Sequence, residues 1–291
     1  MRVLQPKVLL LYKKSAYSIY FHDWKIHLIG HKKRNFHNEI HRFKKAHDEH
    51  FMALKTVERI LRQYNIGYKK YARGQNIPYE HYGLVITVGG DGTFLEAARN
   101  IKGQLILGVN SAPRSSVGKL CTATTKNFEK LIKGIVSNDI RVDSWQRLRL
   151  ELGSHNRRVE CLNDILICHS NPAAVSRYYL KIGRSKEEQR SSGVWIATPA
   201  GSSGAIHSAG GKALKATEKK MQYMPRELYA GGNPPYRLKG GILAKRQVIA
   251  VTSLMRNGMV FVDGTHVHLK FPFNTTLTVS LSPDPIKVIK A

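Results

Sequence analysis

Within Val85-Ile86-Thr87-Val88-Gly89-Gly90-Asp91-Gly92-Thr93-Phe94-Leu95, three glycines and a threonine enclose one carboxylate. Glycine lets a backbone turn sharply and approach a ligand closely. Set between a strand and a helix, such a turn aims free N–H groups and a helix N-terminus at one spot, which suits phosphate. A carboxylate there repels the ligand unless it has a task, either holding Mg²⁺ or taking a proton from an attacking hydroxyl. Asp91 is therefore a candidate base, and Gly89, Gly90, Gly92 and Thr93 a candidate phosphate cradle. The plainer alternative is an Asp that caps the following helix. The spacing is neither the G-x-G-x-x-G fingerprint nor a P-loop.

Three more stretches carry polar groups at turns. Leu162-Asn163-Asp164-Ile165-Leu166-Ile167 sets an amide beside an acid in a strand. Thr198-Pro199-Ala200-Gly201-Ser202-Ser203-Gly204-Ala205, leading to Ser208-Ala209-Gly210-Gly211, is a second loop of small residues. Val262-Asp263-Gly264 is a turn late in the chain. Taken singly, each has an ordinary reading: a strand-edge pair, a tight loop, a hairpin turn.

The elements that must position these groups change character along the chain. Lys7 to Tyr12, residues 82–88 and Gln104 to Val109 read as buried strands. Thr93 to Ile101 reads as a helix whose apolar face is Phe94, Leu95, Ala97, Ala98 and Ile101. A second helix starts at Ala46, with Phe51, Leu54, Val57, Ile60 and Leu61 at helical spacing. This alternation argues a Rossmann-like parallel sheet with helices on its faces. Ligands of such sheets bind at the carboxyl ends of the strands, where Asp91 and Asn110 fall. After a short helix over 127–137 the pattern becomes all-β: 141–152, 158–168, 176–182, 193–197, 247–252, 259–262, 266–271 and 277–281. The expectation is an α/β domain over 1–125 followed by a β-sandwich domain over 126–291. Residues 15–45 read as a basic surface insertion, and 212–240 as a loop-rich stretch.

The chain has 291 residues, of which 42% are hydrophobic, enough for two modest cores. No run approaches the roughly 20 apolar residues that span a bilayer. No secretory signal is apparent, and three cysteines without zinc spacing fit reduced thiols in a cytoplasm. Seven of the 13 histidines precede residue 51 without ligand spacing, so they do not argue a metal site. The net charge of +27 is spread along the chain: residues 1–80 hold 17 Lys/Arg against 6 Asp/Glu. Such a surface attracts anions, yet charge alone does not argue nucleic acid.

In this order and at these separations, the four stretches resemble the NAD kinase family over about residues 80–270. Gly-Gly-Asp-Gly-Thr by itself is shared with lipid kinases of the diacylglycerol kinase type. Gly108-Val109-Asn110-Ser111, Leu120-Cys121-Thr122-Ala123-Thr124, Pro172-Ala173-Ala174-Val175-Ser176-Arg177 and Ser191-Ser192-Gly193 resemble the plant-type NADH kinase branch and its bacterial relatives. The resemblance implies transfer of a phosphoryl group from ATP, with a divalent metal such as Mg²⁺, to the adenosine ribose 2′-hydroxyl of NAD(H). It implies Asp91 as the catalytic acid–base residue. It places Asn110, Asn163, Asp164, Thr198, Ser202, Ser203 and Ala205 against the dinucleotide. A metal fixed by the protein is not implied beyond an ion with ATP near Asp91.

Two departures bear on the substrate. Many family members carry Tyr where Ala205 stands and Asp where Ser192 stands; the plant-type branch shares both losses. The resemblance therefore implies that NADH is accepted at least as well as NAD. Asp164 replaces the family's Glu and shortens that arm by one methylene. By resemblance, a homodimer or homotetramer is expected, with a short C-terminal return to the first domain and no membrane or nucleic-acid partner. The alternatives are a lipid kinase, or a non-catalytic protein that binds dinucleotide or nucleic acid.

Overall fold

In the computed structural model, residues 7–19, 33–153, 157–231, 235–265 and 267–290 are described. Residues 20–32, the middle of the expected insertion, lie outside the described residues. Contacts divide the chain into two units, Met1–Asp143 with Lys287–Ala291, and Ser144–Ile286.

The first unit is built from β1 (Val8–Tyr12), α1 (Lys33–Gln63), β2 (Tyr68–Ala72), β3 (Leu84–Gly89), α2 (Asp91–Asn100), β4 (Leu105–Asn110), β5 (Ala123–Thr124), α3 (Phe128–Val136) and β6 (Arg141–Trp145). The sheet runs β2-β1-β3-β4, continues through the chain's last strand, Ile286–Lys290, and ends on β6; β5 pairs with β4. β1, β2, β3, β4 and the last strand are mutually parallel where they pair. Strands such as Val-Leu-Leu-Leu and Leu-Val-Ile-Thr-Val-Gly are buried throughout, as strands covered on both faces must be. From β1 the order runs one way to β2 and the other way to β3. The switch point therefore lies between the carboxyl ends of β1 and β3.

Leu54, Val57, Ile60 and Leu61 of α1 pack with Phe128, Leu131 and Ile132 of α3 and with Leu10, Ile86 and Leu107 of the sheet. Residues 126–143, assigned to the β half by sequence, thus belong to the first unit, because α3 buries its apolar face in that core. Two further readings are corrected. α1 begins at Lys33 and not at Ala46, so 33–45 is helix. Phe51 is 46% exposed rather than a core residue; its ring stacks on His47, with Lys55 Nζ 4.6 Å from the ring centre.

The second unit comprises β7 (Leu148–Leu152), β8 (Arg157–Cys161), β9 (Asp164–His169), β10 (Ser176–Ile182), β11 (Ser185–Ser191), β12 (Val194–Ala197), α4 (Ala205–Ser208), β13 (Lys220–Pro225), β14 (Gly241–Ala244), β15 (Ile249–Ser253), β16 (Gly258–Val262), β17 (Val267–Lys270) and β18 (Thr276–Leu281). They form two antiparallel sheets, β11-β10-β15-β18-β7-β8 and β14-β13-β12-β9-β16-β17. The sheets share one core, in which Leu150, Tyr178, Leu180, Val251 and Val279 meet Ile165, Ile167, Ile196, Met221 and Val260. Alternation of buried and exposed residues along β10 is the pattern of a half-buried strand.

Here too some expected elements split. The run 141–152 is two strands separated by Gln146 and Arg147. The run 158–168 is β8 and β9, which lie in different sheets, so Cys161 and Cys168 do not share a strand. β13 crosses the stretch 212–240 that reads as loop.

Candidate active site

In the first unit, β3 delivers the chain to Gly90, the N-cap of α2, and Asp91 is the first helical residue. No side chain caps this helix, so Asp91 is not the capping Asp of the plainer reading. Its carboxylate reaches across the turn instead. One oxygen accepts the Leu120 N–H at 2.8 Å and the other the Lys119 N–H at 3.2 Å. These bonds set the rotamer and leave each oxygen a further lone pair. Among the described residues, the N–H groups of Gly90, Asp91 and Gly92 have no backbone partner, as in the first turn of any helix.

The glycines hold this turn open. A Cβ on Gly89 would overlap the Thr93 hydroxyl, so Gly89 permits the close approach of strand and helix. Thr93 is buried against Gly89. A Cβ on Gly92 would lie 2.9 Å from the Arg73 guanidinium, which pairs with Glu96 at 2.9 Å. Asn110 is 5% exposed and spends its side chain on the neighbouring loop. Its amide donates to the carbonyls of Ser116 and Val117 at 2.9 and 3.3 Å and accepts the Ala112 N–H at 3.1 Å.

A group that sequence reasoning missed sits beside this turn. His50 of α1 is buried, with Nε2 2.8 Å from the Lys13 carbonyl and Nδ1 2.8 Å from the Ser111 hydroxyl. A carbonyl only accepts, so Nε2 carries the proton and Nδ1 accepts from Ser111. Burial, and next the Lys13 charge, push the His50 imidazole down to about 4. Cys121 feels both Asp91 and Lys13, and burial pushes its thiol up to about 12, which leaves it protonated.

In the second unit, three of the sequence-singled stretches converge. The Asp263 carboxylate accepts the Asn163 N–H at 2.7 Å and the Leu162 N–H at 3.4 Å. The Thr198 hydroxyl donates to the Leu162 carbonyl and accepts the Gly201 N–H at 3.1 Å. The Thr198 N–H donates to the Asn163 carbonyl at 3.0 Å. A Cβ on Gly201 would strike that carbonyl, so this glycine lets the small-residue loop lie directly on Asn163. Asn163 Nδ2 lies 3.1 Å from Asp164 Oδ2. Burial, and next the Asp263 charge, push the Asp164 carboxyl up to about 7. Ser202 is buried and bridges the Pro199 carbonyl and the Leu214 N–H, both at 2.7 Å. Ser203 is half-buried, and Ala205 is exposed at the start of α4. Asn163, Ser203 and Ala205 therefore face outward more than Thr198 and Ser202, which shape the loop.

No family model matches the chain. A probable NADH kinase of Oryza sativa subsp. japonica is 34% identical, over 73% of this chain and 72% of its own length. The NADH kinase of Arabidopsis thaliana is 33% identical, over 79% and 80%. An NAD kinase of Aquifex aeolicus is 28% identical, over 72% and 78%. Among solved structures, an Archaeoglobus fulgidus NAD kinase in complex with ATP superposes with a TM-score of 0.71 at 21% identity, covering 98% of this chain and 93% of that one. Yeast NADH kinase complexed with NADH superposes at 0.73 and 15%, covering 99% and 84%. The two structural likenesses establish the fold, an α/β unit followed by a β-sandwich. The sequence relatives carry the assignment further, and the chain belongs to the NAD kinase family. The two plant relatives named above are called NADH kinases.

Proposed function

We propose that this chain transfers the terminal phosphoryl group of ATP to the 2′-hydroxyl of the adenosine ribose of NADH or NAD, giving NADPH or NADP. One observation carries the reading: the Asp91 carboxylate stands on the first residue of α2, at the switch point, braced by two backbone N–H groups rather than spent on its own helix. A braced carboxylate beside a phosphate cradle suits a base that takes the attacking hydroxyl's proton. In this proposal Gly89, Gly90, Gly92 and Thr93 form the cradle. Asn163, Asp164, Ser203 and Ala205 contact the dinucleotide. Asn110, Thr198 and Ser202 act through the loops they hold. With the small Ala205 and neutral Ser192, NADH is taken at least as well as NAD.

Mg²⁺ enters this proposal with ATP. Among the described residues no three His, Cys, Asp or Glu side chains come together. In this proposal the ion is carried by the nucleotide's phosphates, near Asp91. Among the described residues no helix is long and apolar enough to cross a membrane. Cytoplasmic location and a homodimer or homotetramer complete the proposal; the three thiols are unpaired, which fits a reducing compartment.

Steady-state kinetics of the purified chain with ATP and Mg²⁺, NADH against NAD, test the reading. Turnover of both, with NADH at least equal in kcat/KM, is expected. Phosphorylation of diacylglycerol or sphingosine with neither dinucleotide modified would overturn it.

A further inference from the structure

Several cationic residues lie on the elements next to the phosphate turn. Arg73 pairs with Glu96, Lys119 gives its N–H to Asp91 and has further contacts, and Lys14 is exposed. Lys13 is different. It is half-buried, and among the described residues its ammonium has no ion pair or hydrogen bond. Burial holds the Lys13 ammonium below its ordinary value. Glu49 is the carboxylate that acts against this.

Its backbone is pinned from two sides. The Lys13 N–H donates to the Val88 carbonyl at 3.3 Å, which continues β1 alongside β3 right up to Gly89. The Lys13 carbonyl accepts from His50 Nε2 at 2.8 Å. The residue therefore leaves β1 on one side of the switch point while Gly89, Gly90 and Asp91 leave β3 on the other. Cys121 follows Leu120, whose N–H the Asp91 carboxylate accepts, and it feels the charges of both Asp91 and Lys13.

We propose that Lys13 is the cation that meets the donor's terminal phosphate, with His50 as the positioning residue that fixes its backbone. An ammonium is a compact point charge and a strong phosphate binder. Carried out of β1 beside the turn that opens α2, it neutralises charge on the phosphoryl group that is transferred. The proposal rests on the phosphotransferase reading above.

The test compares wild type, Lys13→Met and Lys13→Arg. Methionine keeps the apolar stem, and arginine keeps the charge. The readouts are calorimetric affinity for a non-hydrolysable ATP analogue, for inorganic tripolyphosphate and for NADH, together with kcat and the KM of each substrate. Lys13→Met should lose about ten- to a hundredfold in affinity for both the analogue and tripolyphosphate, and more than tenfold in kcat, with NADH affinity within about threefold. Lys13→Arg should recover part of the tripolyphosphate affinity. Wild-type activity with unchanged analogue affinity and kcat in Lys13→Met would overturn the role of Lys13 while leaving the phosphotransferase reading intact. Inactive wild type that binds neither probe would overturn both. Equal loss of analogue and NADH affinity, not recovered by arginine, would mark Lys13 as structural.

Discussion

The Asp263 carboxylate accepts the backbone N–H of Asn163 at 2.7 Å across 100 residues of chain. Together with the Leu162 N–H, this takes up donors that an uninterrupted strand over 158–168 would place in a ladder, and so ends β8 before β9 begins. Asp263 sits at φ +49, a left-handed turn conformation that aspartate tolerates better than most residues. Asp263→Ala should therefore unlatch the Asn163 turn. A stability loss of about 2 kcal/mol is expected, from orphaned buried N–H groups, with a rise in KM for the dinucleotide larger than that for ATP. Denaturant titration and initial-rate kinetics check it.

Thr198 holds the same turn from the other side. Thr198→Val keeps the shape but removes the hydroxyl that serves the Leu162 carbonyl and the Gly201 N–H. A cost of about 1–3 kcal/mol in stability and weaker NADH binding are expected, both restored by Thr198→Ser. Gly201→Ala should be worse for binding, since its Cβ must displace the Asn163 carbonyl. Calorimetric titration with NADH measures each.

The second unit carries a pH signature. Asp164 has a folded value near 7 against 3.8 for an ordinary Asp, so the folded state binds its proton more tightly. Its contribution to stability is fully present below about pH 4 and is lost as pH rises through 7. Asp164→Asn should be more stable than wild type at pH 8, by roughly 2–4 kcal/mol, with the gain vanishing near pH 4. Urea midpoints measured across that range decide it.

In the first unit the sign is reversed. The His50 imidazole lies near 4 against an ordinary 6.5, so the unfolded chain binds the proton more tightly. Stability is lost as pH falls from about 6.5 to 4, by up to about 3 kcal/mol. In His50→Gln that part of the acid slope should disappear, while wild type keeps it.

Much of the frame was legible because it obeys local rules. Continuous apolar runs marked β1, β3 and β4, and the apolar face of α2 is buried at Phe94, Leu95, Ala97, Ala98 and Ile101 as its periodicity requires. The glycines placed Asp91 in a turn between strand and helix; the helix, read from Thr93, begins at Asp91 itself. What stayed hidden depends on partners far along the chain. Residues 33–45 carry Phe36, Ile40 and Phe43 at helical spacing, but set among so many His, Lys and Arg that they read as a basic insertion. The break after Cys161 is enforced by Asp263, and the role of His50 by Ser111, 61 positions on. β11, Ser-Lys-Glu-Glu-Gln-Arg-Ser, is an edge strand whose polar sequence carries little strand propensity.

Asp91 carries the central claim. Asp91→Asn retains one acceptor oxygen for the Lys119–Leu120 loop but removes the base. A fall in kcat of roughly 10²–10⁴-fold, with NADH affinity within about threefold, is expected by stopped-time assay and calorimetry.

The most direct measurement locates the transferred phosphorus itself. The purified chain is incubated with NADH, Mg²⁺ and ATP, and the product is resolved by ³¹P and ¹H NMR, with wild type and Asp91→Asn in parallel. The account predicts a phosphate on the 2′-oxygen of the adenosine ribose, formed by wild type and all but absent with the variant. Phosphate on another oxygen, release of phosphate with the dinucleotide untouched, or equal product from the variant would contradict it.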